Sequence, residues 1–520
     1  MKNKIFISII SITLFAIACD KKLNISNPNS PTSVDVWTTS SGAQSVVNSM
    51  YSTYHRVGLG RNLFFVTMIR SDEGFSTSPN IALIDNFDNF TITDYNMFER
   101  RSIYQDCYVG INRANQVLDN VPSMTVIDDV TKNQYIGEAK FMRGLFYYIL
   151  ANYWGNVPIL LHTSTTTNQN TPNSTQEEIW AQIEQDLTAA APLLPTSYDA
   201  GSLGRATRGA AYALLGKTYM QEHKYAEAEA ALAWLVTGEG KSLYSLMPNY
   251  RDNFLEASEN NAESVFEFQN ALNPSDNHDD DVDGPVDGLN YGTSIPPFFA
   301  PMPVGFTDGQ ARRWVVWEFL KEKTTSSGRD PRLAATFLYD STDERGPDYS
   351  LSYGTPWNQL GLQNVPEDVH NSIHQVCFRK FLDDAVMNAE VFHSGNNYRF
   401  IRYADVLLLY AEALNAQGKT ADAYQYVDKV RVRAGLASLS TAMPGLTQDQ
   451  FLQQLKHERI TELSGEGHRW EDLARWGDLS PQLASRDAGF ANFKIGRDEL
   501  LPIPQQDIDA DINLKQNPGY

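Results

Sequence analysis

Apolar residues recur at helical spacing along most of the chain, most cleanly between Arg399 and Leu436. There Leu407, Leu408, Ala411 and Leu414 share one helix face, Gly418 is placed to end that helix, and Thr420 is placed to cap the next. The second helix carries Ala423, Val427 and Val430 on one side. The small residues Ala411 and Ala423 let the two backbones approach closely, as in an antiparallel helical hairpin. Ala211–Val236 has the same build. Leu215, Gly216 and Tyr219 are followed by Tyr225, Ala228 and Leu232, the spacing of a tetratricopeptide hairpin.

The same periodicity predicts helices over Val36–Tyr54, Tyr104–Val121, Gln134–Tyr153, Thr175–Leu194, Gln448–Ser464 and Glu466–Trp476, with a short one around Arg312–Lys323. The first of these is expected to be capped near Ser40–Ser41, with Ala43, Val46, Val47 and Met50 inward. Two stretches break the pattern. Gly74–Asn96 scatters Phe75, Phe87, Phe90 and Tyr95 among polar residues without any period, so its rings are either displayed or covered by their own loop. Residues from about 270 to 375 are rich in Gly, Pro, Asp and aromatics, too long a run for an ordinary connection. The expected fold is therefore mainly α, a tetratricopeptide-like scaffold of helical hairpins with long irregular loop insertions. Function is to be sought in the insertions.

Composition narrows the partners. The formal net charge of −21 over 520 residues argues against nucleic acid and anionic membrane surfaces. Nine Trp and 25 Tyr suit stacking on flat ligands if some are carried on loops. At the N-terminus, Lys2 and Lys4 precede an apolar run, Ile5–Ala18, too short to read first as a membrane span. The run ends in small residues directly before Cys19. That arrangement resembles a bacterial lipoprotein signal, in which the cysteine thiol is acylated and becomes the first mature residue. Residues 1–18 are thus expected to be a signal peptide, 19–35 a lipid-anchored tether, and 36–520 one binding domain.

Cys107 and Cys377 are too few for a disulfide framework; they either pair or remain as buried free thiols. Asp279, Asp281 and Asp283 with Gly284, then Asp287, match positions one, three, five, six and nine of a calcium loop. Position twelve is Asn290 rather than a bidentate Glu, so the stretch is either a Ca2+ site or a solvated acidic loop. No GxSxG, HExxH or phosphate-cradling glycine loop is present.

Several motifs then agree. They include Asn152-Tyr153-Trp154-Gly155-Asn156-Val157-Pro158, Arg402-Tyr403-Ala404-Asp405-Val406-Leu407-Leu408 and Tyr410-Ala411-Glu412-Ala413. Further on stand Val430-Arg431-Val432-Arg433-Ala434-Gly435-Leu436, Glu458-Arg459, Glu466-Gly467-His468-Arg469, Asp472-Leu473-Ala474-Arg475-Trp476 and Gln516-Asn517-Pro518-Gly519-Tyr520. Together with the lipoprotein start they resemble the SusD-like (RagB) nutrient-binding lipoproteins of the Bacteroidetes outer membrane. The resemblance implies a surface binding protein rather than an enzyme. It implies oligosaccharide capture, or peptide capture in some branches, for delivery to a TonB-dependent, SusC-like transporter. It also implies that Glu458, Arg459, Glu466 and Arg469 are scaffold ion pairs. A surface glycoside hydrolase is the competing reading, because paired carboxylates leave no local motif.

A glycan face needs an aromatic platform ringed by hydroxyl-binding side chains. Two stretches have that mixture. The first offers Phe65, Phe75, Phe90 and Tyr95, with Asp72 in a segment the resemblance associates with ligand. The second offers Tyr291, Phe298, Trp314 and Trp357. Trp314 and Trp317 lie three apart on a helix, so one of them is expected in the core.

Overall fold

The computed structural model describes residues 35–76, 78, 84–163, 171–272, 291–302, 304–339, 351–352, 355–356, 376–384 and 390–520. Within them run twelve α-helices of seven residues or more. They are α1 (Ser40–Tyr51), α2 (Leu63–Ile69), α3 (Phe98–Asn120), α4 (Asp129–Tyr153), α5 (Gln176–Ala190), α6 (Arg208–Gln221) and α7 (Tyr225–Val236). Then follow α8 (Arg313–Leu320), α9 (Tyr403–Ala416), α10 (Thr420–Arg433), α11 (Gln448–Leu463) and α12 (Arg469–Trp476). The strands are short and pair two by two: β1 (Gly74–Phe75) with β3 (Gln310–Ala311), β2 (Ser264–Phe268) with β8 (Tyr398–Arg402), β4 (Phe337–Tyr339) with β7 (Val376–Phe378), and β5 (Leu351–Ser352) with β6 (Thr355–Pro356). All four pairs are antiparallel. The fold is mainly helical, as the hydrophobic period indicates.

Helices pack largely in chain order: α3 on α4, α4 on α5, α5 on α6, α6 on α7. The next contact skips ahead, α7 on α9, and α9 then packs on α10 and α11. The described residues between 237 and 402 therefore form an excursion between α7 and α9. One hydrophobic core runs through the whole, from Ala43 in α1 to Leu514 near the C-terminus.

The two sequence-read hairpins are both present. In α6–α7, a Cβ built on Gly216 would lie 2.4 Å from Leu232 Cδ2, so any larger residue there has to displace the Leu232 side chain in the core. In α9–α10, Gly418 takes φ +76° in the turn, which favours glycine. Thr420 is not the cap. It is the first residue of α10, and its hydroxyl donates back to Asn415 Oδ1 at 2.7 Å, while Lys419 occupies the cap position and its side chain pairs with Glu229 instead of capping the helix. At α1 the cap is Thr39, which accepts from Gly42 N at 3.1 Å, and not Ser40 or Ser41. Helix α5 closes its first turn with a capping box between Thr175 and Glu178.

Buried charges tie the excursion to the stack. Arg402 of β8 donates to Glu466 at 2.6 and 2.8 Å and to Glu462 at 3.0 Å, and also contacts Glu263 beside β2. Arg332 joins the same group through Glu458 at 2.7 Å and Glu462 at 3.1 Å. Arg459 bridges Asp405 and Asp472 at 2.7–2.8 Å. The charged motif residues are thus scaffold. Cys107 and Cys377 are both buried free thiols.

Candidate functional site

A cleft of about 420 Å³ opens where the end of α1 meets the excursion. Its floor is built locally. After α1 the chain makes a tight turn over Ser52–His55 that drives Tyr54 inward, 2% exposed. Tyr54 lies flat on Phe268 of β2, ring centroids 3.9 Å apart and 4° from parallel. Antiparallel pairing sets Phe268 opposite Tyr398 of β8, and the two rings are 9° from parallel at 6.2 Å. The Tyr54 hydroxyl finds no hydrogen-bond partner among the described residues, and burial pushes its pKa far above the ordinary phenol value.

The rim supplies an open ring and polar groups. Tyr291 is 51% exposed and stands edge-on to His55 at 6.5 Å. Its carbonyl accepts from Ala271 N at 2.7 Å, which pins the backbone there. Arg113 of α3 donates to Ser49 O at 2.8 Å and Thr53 Oγ1 at 3.1 Å. Arg205 donates to Glu138 Oε2 at 2.9 Å and Asn48 Oδ1 at 2.6 Å. The 201–205 loop closes down on Gln269: Gly204 has φ +85°, and a Cβ there would lie 2.1 Å from Gln269 Cγ.

Most charges around this cleft are paired, while Arg113 donates to the neutral oxygens of Ser49 and Thr53. Arg56 pairs with Asp106, Arg205 with Glu138, and Glu267 with Arg399 at 3.4 Å. The cleft therefore offers aromatic surface, amides and oriented N–H groups with little net charge. Such a lining suits a neutral polar ligand with one apolar face.

The other sequence-nominated residues lie elsewhere, and several are corrected. Phe65 is buried against Phe298 and Phe299, at 5.3 and 5.6 Å, and Phe298 is buried with it. Phe90 is enclosed by Phe490 and Phe493 at 4.7 and 5.0 Å. None of these three rings has a face open to stack on a ligand: Phe65 in α2 and Phe298 in the short helix Ile295–Phe299 pack on each other, and Phe90 follows a short helix that folds onto the core. Asp72 is fully buried with both oxygens held by Arg469 at 2.6 and 2.8 Å, so it fixes α12 rather than facing solvent. Phe75 is half-buried under the Arg312 guanidinium, 4.1 Å from the ring centre, and Tyr95 is half-buried edge-on to Tyr520. Trp314 is half-buried on α8, on a second cleft that shares no lining residue with the first. Cys19, the aspartates Asp279, Asp281, Asp283 and Asp287, and Trp357 lie outside the described residues.

Among the described residues, Tyr291 is the one nominated ring that joins the first cleft. Tyr51, Tyr54, His55, Arg113, Arg205 and Gln269 escaped sequence reading because they come from segments as far apart as α1 and β2. The aromatic density of Tyr51-Ser52-Thr53-Tyr54-His55 at a helix end was the one local signal.

The structure is thus a helical-hairpin scaffold that holds an aromatic cleft beside its excursion. The chain belongs to the SusD family: residues 216–520 match the model described as SusD family, and residues 29–220 match one described as starch-binding associating with outer membrane. A SusD-like protein of Formosa agariphila is 27% identical over 445 residues, 80% of this chain and 79% of the relative. The starch-binding protein SusD of Bacteroides thetaiotaomicron is 22% identical over 464 residues, 80% of this chain and 78% of the relative. Among solved structures, a SusD superfamily protein from Bacteroides vulgatus superposes with TM-score 0.79 at 26% identity, covering 93% of this chain and all of that one. A laminarin-binding SusD-like protein superposes with TM-score 0.74 at 28% identity, with the same coverage.

Proposed function

We propose that this protein captures an uncharged oligosaccharide in the Tyr291 cleft at the cell surface and passes it, uncleaved, to a TonB-dependent transporter of the SusC type. The observation that carries the reading is the half-exposed Tyr291 ring set among polar groups of little net charge. A pyranose ring has an apolar face for such a platform, and hydroxyls that exchange hydrogen bonds with amides and guanidinium groups. Matched charges bind hydroxyls without stranding a buried ion. Relatives whose names specify laminarin or starch binding support a saccharide over a peptide. The basic and apolar leader ending at Cys19 supports a lipid anchor.

A glycan array followed by calorimetry tests the binding claim. Retention of at least one uncharged glycan, with no shorter products on prolonged incubation, is the expected result. Release of products would replace the reading by a hydrolase, and binding confined to peptides would overturn it. Incorporation of labelled fatty acid, lost in Cys19→Ala, tests the anchor; co-purification of a β-barrel transporter tests the hand-over. The aspartates of 279–287 are proposed to hold Ca2+, a proposal that ends if calcium titration of the chelated protein gives no heat.

A further inference from the structure

A small hollow of about 180 Å³ follows the Tyr291 cleft along β2. The cleft touches residues 266–269 and the hollow residues 264–267. At about 3.3 Å per residue, the two succeed each other over about 16 Å of chain. A ligand site of its own fills roughly 300–1,000 Å³, so the hollow is too small to be one alone. Residues 203–205 form a strap between the two and line both, as do Phe266 and Glu267 beneath them.

The strap is tied down. Arg205 donates to Glu138 and Asn48, and the neighbouring Ala206 N donates to the Tyr51 hydroxyl at 3.1 Å. Gly204 is pressed so closely on Gln269 that a Cβ would lie 2.1 Å from Cγ. No sugar ring passes beneath such a contact. A chain reaching from one side to the other therefore crosses at the outer edge of the strap, where Leu203 is 50% exposed and borders both spaces. One exposed side chain bordering both sets their mouths on the same edge of the strap.

The hollow has the chemistry of a second sugar position. Leu203 and Leu243, the latter 40% exposed, give it an apolar lip, and Thr196 and Ser197 are exposed hydroxyl residues on its wall. Asn260 Nδ2 donates to Gln269 Oε1 at 2.9 Å, and Gln269 Nε2 donates back to Asn260 Oδ1 at 3.1 Å. That amide pair joins the hollow, lined by Asn260, to the Tyr291 cleft, lined by Gln269. The two charged residues on the wall are both paired: Arg205 with Glu138, and Glu267 with Arg399 at 3.4 Å and with the Asn397 amide at 3.0 Å. An uncharged hydroxylated unit with one apolar face suits such a lining.

Resting on the saccharide reading of the Tyr291 cleft, we propose that the hollow is the extension subsite of that cleft, and that Leu203 is the saddle over which an unbranched oligosaccharide runs along β2 from one to the other. The site therefore selects an oligomer over a monosaccharide, and rejects a chain branched at the unit lying on Leu203. Once the Tyr291 cleft holds one unit, the next reaches the hollow without a second loss of translational freedom, so affinity rises with chain length until both are filled.

The probe is the oligomer series of the polysaccharide that the unmodified protein retains on the array. Calorimetry of the parent is expected to show a gain of about tenfold or more from the shortest bound oligomer to longer ones, then a plateau. Ser197→Trp fills the hollow from an exposed position, and Leu203→Asp puts a charge on the saddle. Each variant is expected to bind the shortest oligomer as the parent does, which shows the fold intact, and to lose the gain with length. Tyr291→Ala is expected to lose oligomers of every length. No gain with length in the parent, or the full gain kept in either strap or hollow variant, overturns the extension subsite and leaves the Tyr291 reading standing. A parent that binds no glycan, or full affinity in Tyr291→Ala, overturns the reading beneath it.

Discussion

At the scale of single residues, the clearest unspent group is Glu73, fully buried beside α2. Burial pushes its pKa up from 4.5 to about 7, against the pull of the Ser464 hydroxyl, which donates to it at 2.5 Å, and of Arg469. The folded chain therefore keeps a proton that the unfolded chain releases near its ordinary value. The sign follows: between about pH 4.5 and about pH 7 the folded state binds more protons, so stability falls as pH rises through that window and levels off above it. The gap corresponds to about 3 kcal/mol at full ionisation. Glu73→Gln keeps an acceptor for Ser464 and removes the charge. Urea unfolding is expected to show the variant more stable than the parent at about pH 8 and nearly equal at about pH 4. Parallel stability curves across that range would contradict the assignment. Sequence could not single out Glu73, because nothing in Arg70-Ser71-Asp72-Glu73 distinguishes a buried carboxyl from a solvated one. The same limit misled the reading of Phe65, Phe90 and Phe298. A ring in a short helix such as Phe65 or Phe298, or in an aperiodic stretch such as Phe90, looks displayed until its segment is seen to pack on the core.

At the scale of elements, helices were legible and strands were not. The 3.6-residue period recovered both hairpins and the C-terminal ends of α3, α4, α11 and α12, while the starts of α3 and α4 lie five or six residues earlier than it indicates. The strands span two to five residues, too short for alternation to register. β8 is lost in the approach to α9, where Tyr398–Arg402 runs straight into a helix beginning at Tyr403. Hairpin α6–α7 offers a sharp check on packing. Ala at Gly216 gains about 1 kcal/mol of helix propensity but meets Leu232 at 2.4 Å in a filled core, where overpacking costs about 1–3 kcal/mol. Gly216→Ala is expected to lower the urea midpoint at unchanged slope; an unchanged or raised midpoint would mean that the two helices are free to separate.

At the scale of the whole molecule, the excursion between α7 and α9 carries or faces both clefts, and it is locked to the helical stack through Arg402. Removing that guanidinium leaves Glu263, Glu462 and Glu466 in the interior with one cation fewer, sharing Arg332, Arg433 and Lys380. A buried carboxylate that loses its partner costs far more than the pair contributed, so Arg402→Met is expected to lose about 3–5 kcal/mol, read by denaturant unfolding. A loss below about 1 kcal/mol would show that the network relaxes to solvent. What no sequence pattern could announce was the first cleft itself. Its members lie between Asn48 and Tyr291, brought together by the turn after α1, the 201–205 loop and the pairing of β2 with β8.

The central claim is that Tyr291 heads a site for an uncharged glycan, and calorimetry of parent and Tyr291→Ala at low and high salt tests it most directly. The expected result is a loss of about tenfold or more in the variant, the scale of an aromatic anchor, and a parent affinity that barely changes with ionic strength. Equal affinities for parent and variant, or a parent affinity that collapses in salt, would contradict it.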